Sequence, residues 1–132
     1  MTGKIFRSVF FTSMLTLLLS LILIAGILFS IFDNQLLKEL KSETETISYI
    51  VETNGKDAIY GLKSNDRRIT LIAHDGTVTA DTELDPAEME NHISRKEVSD
   101  AIKYGSGTSS RYSDTLMQKT VYYAKKLDDG TI

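Results

Sequence analysis

His74 and Asp75 stand side by side in IAHDGTVTAD, residues 72–81, and together they could bind a metal or relay a proton. A metal site needs three or four ligands, and Glu88, Glu90 and His92 could add to the pair if the segment carrying them folded back over it. The competing reading is architectural. Asp75-Gly76 is a strong signal for a two-residue type I′ hairpin turn, and His74 then sits at an exposed strand end. The structural role carries more weight. Arg67, Arg68, Arg95, Lys96 and Arg111 form a second candidate, because guanidinium groups donate paired bonds to oxyanions. The helix start near Ser94 would add free amides, but several acidic residues are interspersed among these cations. Tyr104, Tyr112, Tyr122 and Tyr123 are a third candidate; aromatic residues on strands are more often packing than pocket lining. No G-x-S-x-G elbow and no phosphate-cradling glycine loop is present, so no catalytic residue is assigned.

These residues must be held by elements that the pattern describes well. RRITLIA, 67–73, and TVTAD, 77–81, alternate as the arms of a hairpin. Asp85-Pro86 suits a single helical turn with proline at its first position. Ser94-Arg95-Lys96-Glu97 predicts a capping box, in which Ser94 and Glu97 satisfy each other's backbone amides. Val98, Ala101 and Ile102 give the following helix an apolar face, and Gly105 is suited to end it. GTSSRYSDTL and QKTVYYAKKL predict a second hairpin. Asp128-Asp129-Gly130 predicts another turn, with Thr131-Ile132 opening a fifth strand, so the expectation is an incomplete domain over 67–132.

The amino-terminal third is of a different kind. Residues 9–32 carry no charge and, at 1.5 Å per residue, extend roughly 36 Å as a helix, enough to cross a bilayer. The run exceeds a cleaved signal's apolar core, and no A-x-A-like site follows it. Lys4 and Arg7 precede it and Asp33 follows, which predicts a cytoplasmic segment 1–8, a transmembrane helix 9–32, and residues 33–132 outside the cell. That outer part holds all 18 acidic residues and 13 of the 15 basic ones, a net charge of −5. Nothing in it suggests nucleic-acid binding. Without cysteine the outer part has no disulfide, thiol nucleophile or cysteine-based zinc site. Leu37, Leu40, Thr44, Ile47, Val51, Asn54 and Ala58 follow a 3-4 spacing, which predicts an amphipathic stalk helix over 33–62. Its seam, Leu37 to Val51, could meet a second copy, the domain's own sheet, or both.

The expected fold class is therefore α+β: a transmembrane helix continuing into a stalk, then a small antiparallel sheet with a short helix. MTGKIFRSVF, RITLIAHDGTVTADT, MENHISRKEVSDAI, GSGTSSRYSDTL and YYAKKLDDGTI resemble the amino-terminal portion of bacterial sensor histidine kinases. The resemblance is to the phosphate-regulon sensor kinases of Gram-positive bacteria, with their single-Cache, PAS-like outer domain. It covers almost the whole chain. It implies a homodimer in the cell membrane, an ATP- and Mg-dependent kinase part absent from this chain, and a response regulator as that part's partner. The signal, whether an extracellular protein or a small molecule, is left open, and no cofactor is expected in residues 1–132. The same outer domains also serve chemoreceptors and cyclic-dinucleotide enzymes. A stand-alone anchored interaction protein is the remaining alternative.

Overall fold

A computed structural model describes residues 2–62, 64, 67–113 and 118–132; of residues 2, 113 and 118 only the backbone is described. The elements run α1 (Thr2–Asn54), a 3-10 helix (Lys56–Leu62), β1 (Thr70–Ile72), β2 (Val78–Asp81), a 3-10 turn (Pro86–Glu88), α2 (Lys96–Tyr104), β3 (Ser106–Ser113) and β4 (Gln118–Lys125). The class is α+β, as expected. The loop expected at 63–66 and the end of the strand expected through Leu116 lie largely outside the described residues. The chain divides into two units, Met1–Lys38 and Glu39–Ile132.

The first unit is helical and apolar, and its helix is long and apolar enough to cross a membrane. Three of its hydroxyls bond back to the helix's own carbonyls. Thr12 donates to the carbonyl of Ser8 at 2.7 Å, Thr16 to Ser13 at 2.9 Å and Ser20 to Leu17 at 2.8 Å. Such back-bonding lets polar side chains sit in hydrocarbon without orphaned groups.

The second unit is built around the β1–β2 hairpin, whose two faces are both buried. Leu71 and Ala80 pack with Val51, Ile59 and Leu127, with Ile47 and Ile69 at the margin. Ile72 and Val78 pack on the other side with Val98, Ala101 and Ile132. Strand side chains alternate, so Val78 and Ala80 would ordinarily share one face. A bulge separates them. Leu71 is opposite Ala80, but Ile72 is opposite Val78, which leaves Thr79 as the extra residue. Thr79 is exposed and its hydroxyl donates to the Leu71 carbonyl at 3.2 Å.

The hairpin loop corrects the expected two-residue turn. Three residues, 74–76, form it: Ala73 N–H donates to Thr77 O and Gly76 N–H to Ala73 O, both at 2.8 Å. Gly76 takes the left-handed position at φ +88°. Asp75 spends its carboxylate on the Thr77 amide at 2.9 Å, which closes the loop one residue later than a type I′ turn would. The 127–131 loop repeats this build, with Gly130 at φ +87° and Asp129 accepting from the Thr131 amide at 2.8 Å. It brings Ile132 beside β1, where Ile132 and Ile72 exchange N–H···O bonds of 2.7 and 2.8 Å. Ile132 thus links the first hairpin to the second, which pairs antiparallel from Ser106↔Lys125 to Ser113↔Gln118.

Two helix boundaries also differ from expectation. The stalk expected over 33–62 ends as an α-helix at Asn54. Gly55, at φ +84°, donates to Val51 O, and the chain continues as a 3-10 helix. A left-handed glycine is an ordinary helix stop, so Asn54 is the last seam position on the α-helix. The expected capping box at Ser94 is not formed. Arg95 occupies the N-cap without a side-chain cap bond, because Glu97 points to β3 instead of back along the chain. Gly105 ends α2 as expected, at φ +87° with its amide on Ala101 O.

Two substitutions test this packing in the full chain. Ile59 is wholly buried, so Ile59→Ala should cost about 2–5 kcal/mol. Gly107 lies against α2: a Cβ there would overlap the Glu97 carbonyl and come within 2.7 Å of Asp100 Cβ. Gly107→Ala should therefore cost about 1–3 kcal/mol. Urea unfolding followed by amide exchange of residues 67–132 reads both, and unchanged protection would contradict the packing described.

Candidate functional site

The segment between β2 and α2 does fold back over the first hairpin. Asn91 Nδ2 donates to Asp75 O at 2.9 Å, and the His92 amide donates to Gly76 O at 2.8 Å. It does not assemble a metal site. His74 and Asp75 are exposed, whereas His92 is buried at 3% exposure. Among the described residues no group of three or more His, Asp or Glu side chains is placed to hold a metal ion. Asp75 is accounted for by the turn, and the Thr77 amide and hydroxyl hold its carboxyl below the usual range. The tyrosines do not line a common pocket either. Tyr104 and Tyr112 are exposed, while Tyr122 and Tyr123 are half-buried on β4. An open groove of about 610 Å³ lies elsewhere, between Val51, Gly55 and Lys56 on one side and Leu71, Leu127 and Asp129 on the other.

The arginine candidates are sorted by their partners. Arg67 pairs with Glu39 at 2.8 Å and with Glu43, binding the entry to β1 against α1. Lys96 pairs with Asp100 one turn along α2, at 2.6 Å. Arg68 pairs with Asp81, whose side chain is fully buried. Asp81 also accepts from Thr70 Oγ1 at 2.6 Å and from the amides of Glu83 and Leu84 at 2.8 and 2.9 Å. Burial pushes the Asp81 carboxyl up, but the Thr70, Leu84, Glu83 and Arg68 bonds together bring it below its ordinary value. Sequence reasoning had no signal for this role of Asp81 beyond its place at the end of a strand.

Glu97 repeats the pattern on α2. It accepts from Ser109 Oγ at 2.5 Å and from Arg111 Nη2 at 2.5 and 2.7 Å. Burial again opposes ionisation, and the Ser109, backbone and Arg111 bonds outweigh it. Arg111 also lies 4.3 Å over the Tyr122 ring, so α2 and β4 both help hold it.

Arg95 is the exception. It is half-buried, and none of the described side chains hydrogen-bonds or ion-pairs with it. Burial lowers its pKa, and the charges of Arg111 and Arg68 add to that, while Glu97 and Tyr122 oppose it. Its backbone N–H donates to His92 O at 3.0 Å, so the two residues share one turn. Neither ring nitrogen of His92 has a hydrogen-bonding partner among the described residues. Burial, then the Arg95 charge, holds His92 below its ordinary pKa; Arg68 adds to this, and nearby Glu90 and Asn91 backbone groups oppose it.

The seam residues also receive places. Leu37 is exposed, Leu40, Thr44 and Ile47 are half-buried, and Val51 is buried in the domain's own core. Compared with family models, curated proteins and solved structures, the chain matches none.

Stability should fall in two stages on acidification. The folded pKa of His92 is lowered, so its contribution is complete above its unfolded value of 6.5 and declines as pH falls below that. Asp81 and Glu97 are also lowered, so their contribution persists to the ordinary carboxylate range and is lost as pH falls below about 4. Thermal melts of the full chain from pH 8 to pH 3 should show both stages. His92→Gln should remove the first, and Asp81→Asn should cost about 3 kcal/mol at pH 7. A single acid transition unaffected by His92→Gln would refute the assignment.

Proposed function

We propose that this chain is the membrane-anchoring, signal-sensing portion of a two-component sensor histidine kinase, acting as a homodimer with residues 33–132 outside the cell. The observation that carries this reading is the dual membership of α1. It contains the membrane-competent stretch, and its last turns place Ile47 and Val51 in the core of the outer unit. A helix shared in this way couples a change in the outer core to the membrane segment. A signal would bias two arrangements of a dimer through its differential affinity for them. Exposed Leu36 and Leu37 lie on the same helix and offer a surface to a second copy. The two hairpins are separate two-stranded sheets, not the one small sheet expected, and support for the PAS-like reading is limited to Ile132, whose bonds to Ile72 tie β1 to the segment that follows β4. ATP and Mg would act only in a kinase part, with a response regulator as its partner.

The absence of cysteine makes cross-linking a clean test. In native membranes Leu37→Cys should form a disulfide-linked dimer on mild oxidation, and Val51→Cys should not. Equal cross-linking at both positions would count against a seam that pairs copies near the membrane. In the protein encoded by the full reading frame, inserting one or two residues after Ser42 should alter histidine phosphorylation more than inserting seven, which preserves the heptad. A frame without a phosphorylatable kinase core would remove the kinase reading.

A further inference from the structure

The open groove between the end of α1 and the 127–131 loop has a floor and a rim of different character. Its floor is apolar: Val51, Leu71 and Leu127 line it, and all three belong to one hydrophobic cluster. Its rim is acidic. Glu52 lies in the last turn of α1, and Asp128 and Asp129 stand on the loop. Lys56 is the one cation among the described lining residues, so the rim carries two negative charges in excess. Lys125 and Lys126, next along the chain, are not part of its wall. Among the described residues none of the three carboxylates is ion-paired. Asp129 accepts from the Thr131 amide and hydroxyl, and Glu52 from the Asp128 amide over a long 3.4 Å. These donors are neutral and leave the charge in place.

The carboxylates do not converge on a point, since among the described residues no group of three acidic side chains is placed to hold a metal ion. A bare divalent ion needs convergent oxygens and would leave the apolar floor uncovered. Two positive charges joined by methylene groups suit both features of the groove. The stem takes the floor out of water, and the ends meet the rim's excess charge. The groove's volume of about 610 Å³ is of the order that small-molecule sites have. We propose that the groove binds a short aliphatic diamine, with its stem over Val51, Leu71 and Leu127 and its ammonium groups at Glu52 and at the Asp128–Asp129 turn. The ligand bridges the last turn of α1 to the loop that carries Ile132 to β1. The site does not depend on the sensor-kinase reading, since binding is measured on the chain itself.

The test uses the full chain in zwitterionic-lipid nanodiscs with methyl-labelled valine and leucine. The probe 1,5-diaminopentane is titrated at ionic strength held constant with sodium chloride. The expected result is a saturable shift of the Val51 and Leu127 methyl signals. Val98, buried in the cluster on the other face of the hairpin, serves as reference and should not move. Two controls divide the ligand: 1,5-pentanediol has the stem without the charge, and magnesium chloride the charge without the stem. Neither should give a saturable shift. Glu52→Gln and Asp128→Asn should each weaken binding about threefold, as exposed charge pairs predict, and together about tenfold. Lys56→Gln removes a like charge and should strengthen binding about twofold, a direction that a folding defect does not produce. An unchanged Val98 signal in each variant shows that the domain is folded. Absence of a saturable response to the diamine, an equal response to pentanediol or magnesium, or weaker binding in Lys56→Gln overturns the proposal.

Discussion

The second unit, Glu39–Ile132, depends on a strand pair that has no wet face. β1 is three residues long, yet Leu71 serves one hydrophobic cluster and Ile72 the other. β2 can match it only because the bulge at Thr79 turns Val78 and Ala80 to opposite sides. With no cysteine to staple it, a unit of this size gains stability chiefly from the apolar surface it buries. Burying both faces of one hairpin is an economical way to do so. It lets the end of α1 and the Val98 and Ala101 face of α2 pack against the same two strands.

That arrangement places polar groups at the seams between layers. Asp81 leaves β2 where the sheet meets its connection, and Glu97 enters α2 where the helix meets β3. Each is buried and each is saturated by an arginine and by nearby hydroxyl or amide donors. They fix the connection and the helix to the sheet by direction-dependent bonds, which apolar contact does not supply. They also consume Arg68 and Arg111.

Much of the local structure was legible in the residues. The uncharged run at 9–32, the Asp-Gly turns, the Asp85-Pro86 turn, Gly105 as a helix stop and the alternation of β4 each rest on preferences within a few positions. The errors came where a side chain had a choice of partner. Glu97 could reach back to its own helix start, but Ser109 and Arg111, a dozen or more residues away, offer charged and hydroxyl donors in a buried place. Asp75 could have occupied a two-residue turn, but its carboxylate bonds to the Thr77 amide in a three-residue loop.

The sequence by itself therefore determined the element types, their order and the apolar character of the amino-terminal helix. Backbone preference and hydrophobic period are local or nearly so. Tertiary structure alone decided that Val51 faces its own domain, that the hairpin is buried on both sides, and that Arg68 and Arg111 pair with Asp81 and Glu97. Those outcomes depend on distances between residues tens of positions apart, and an electrostatic partner is chosen by proximity in space, which spacing along the chain does not encode.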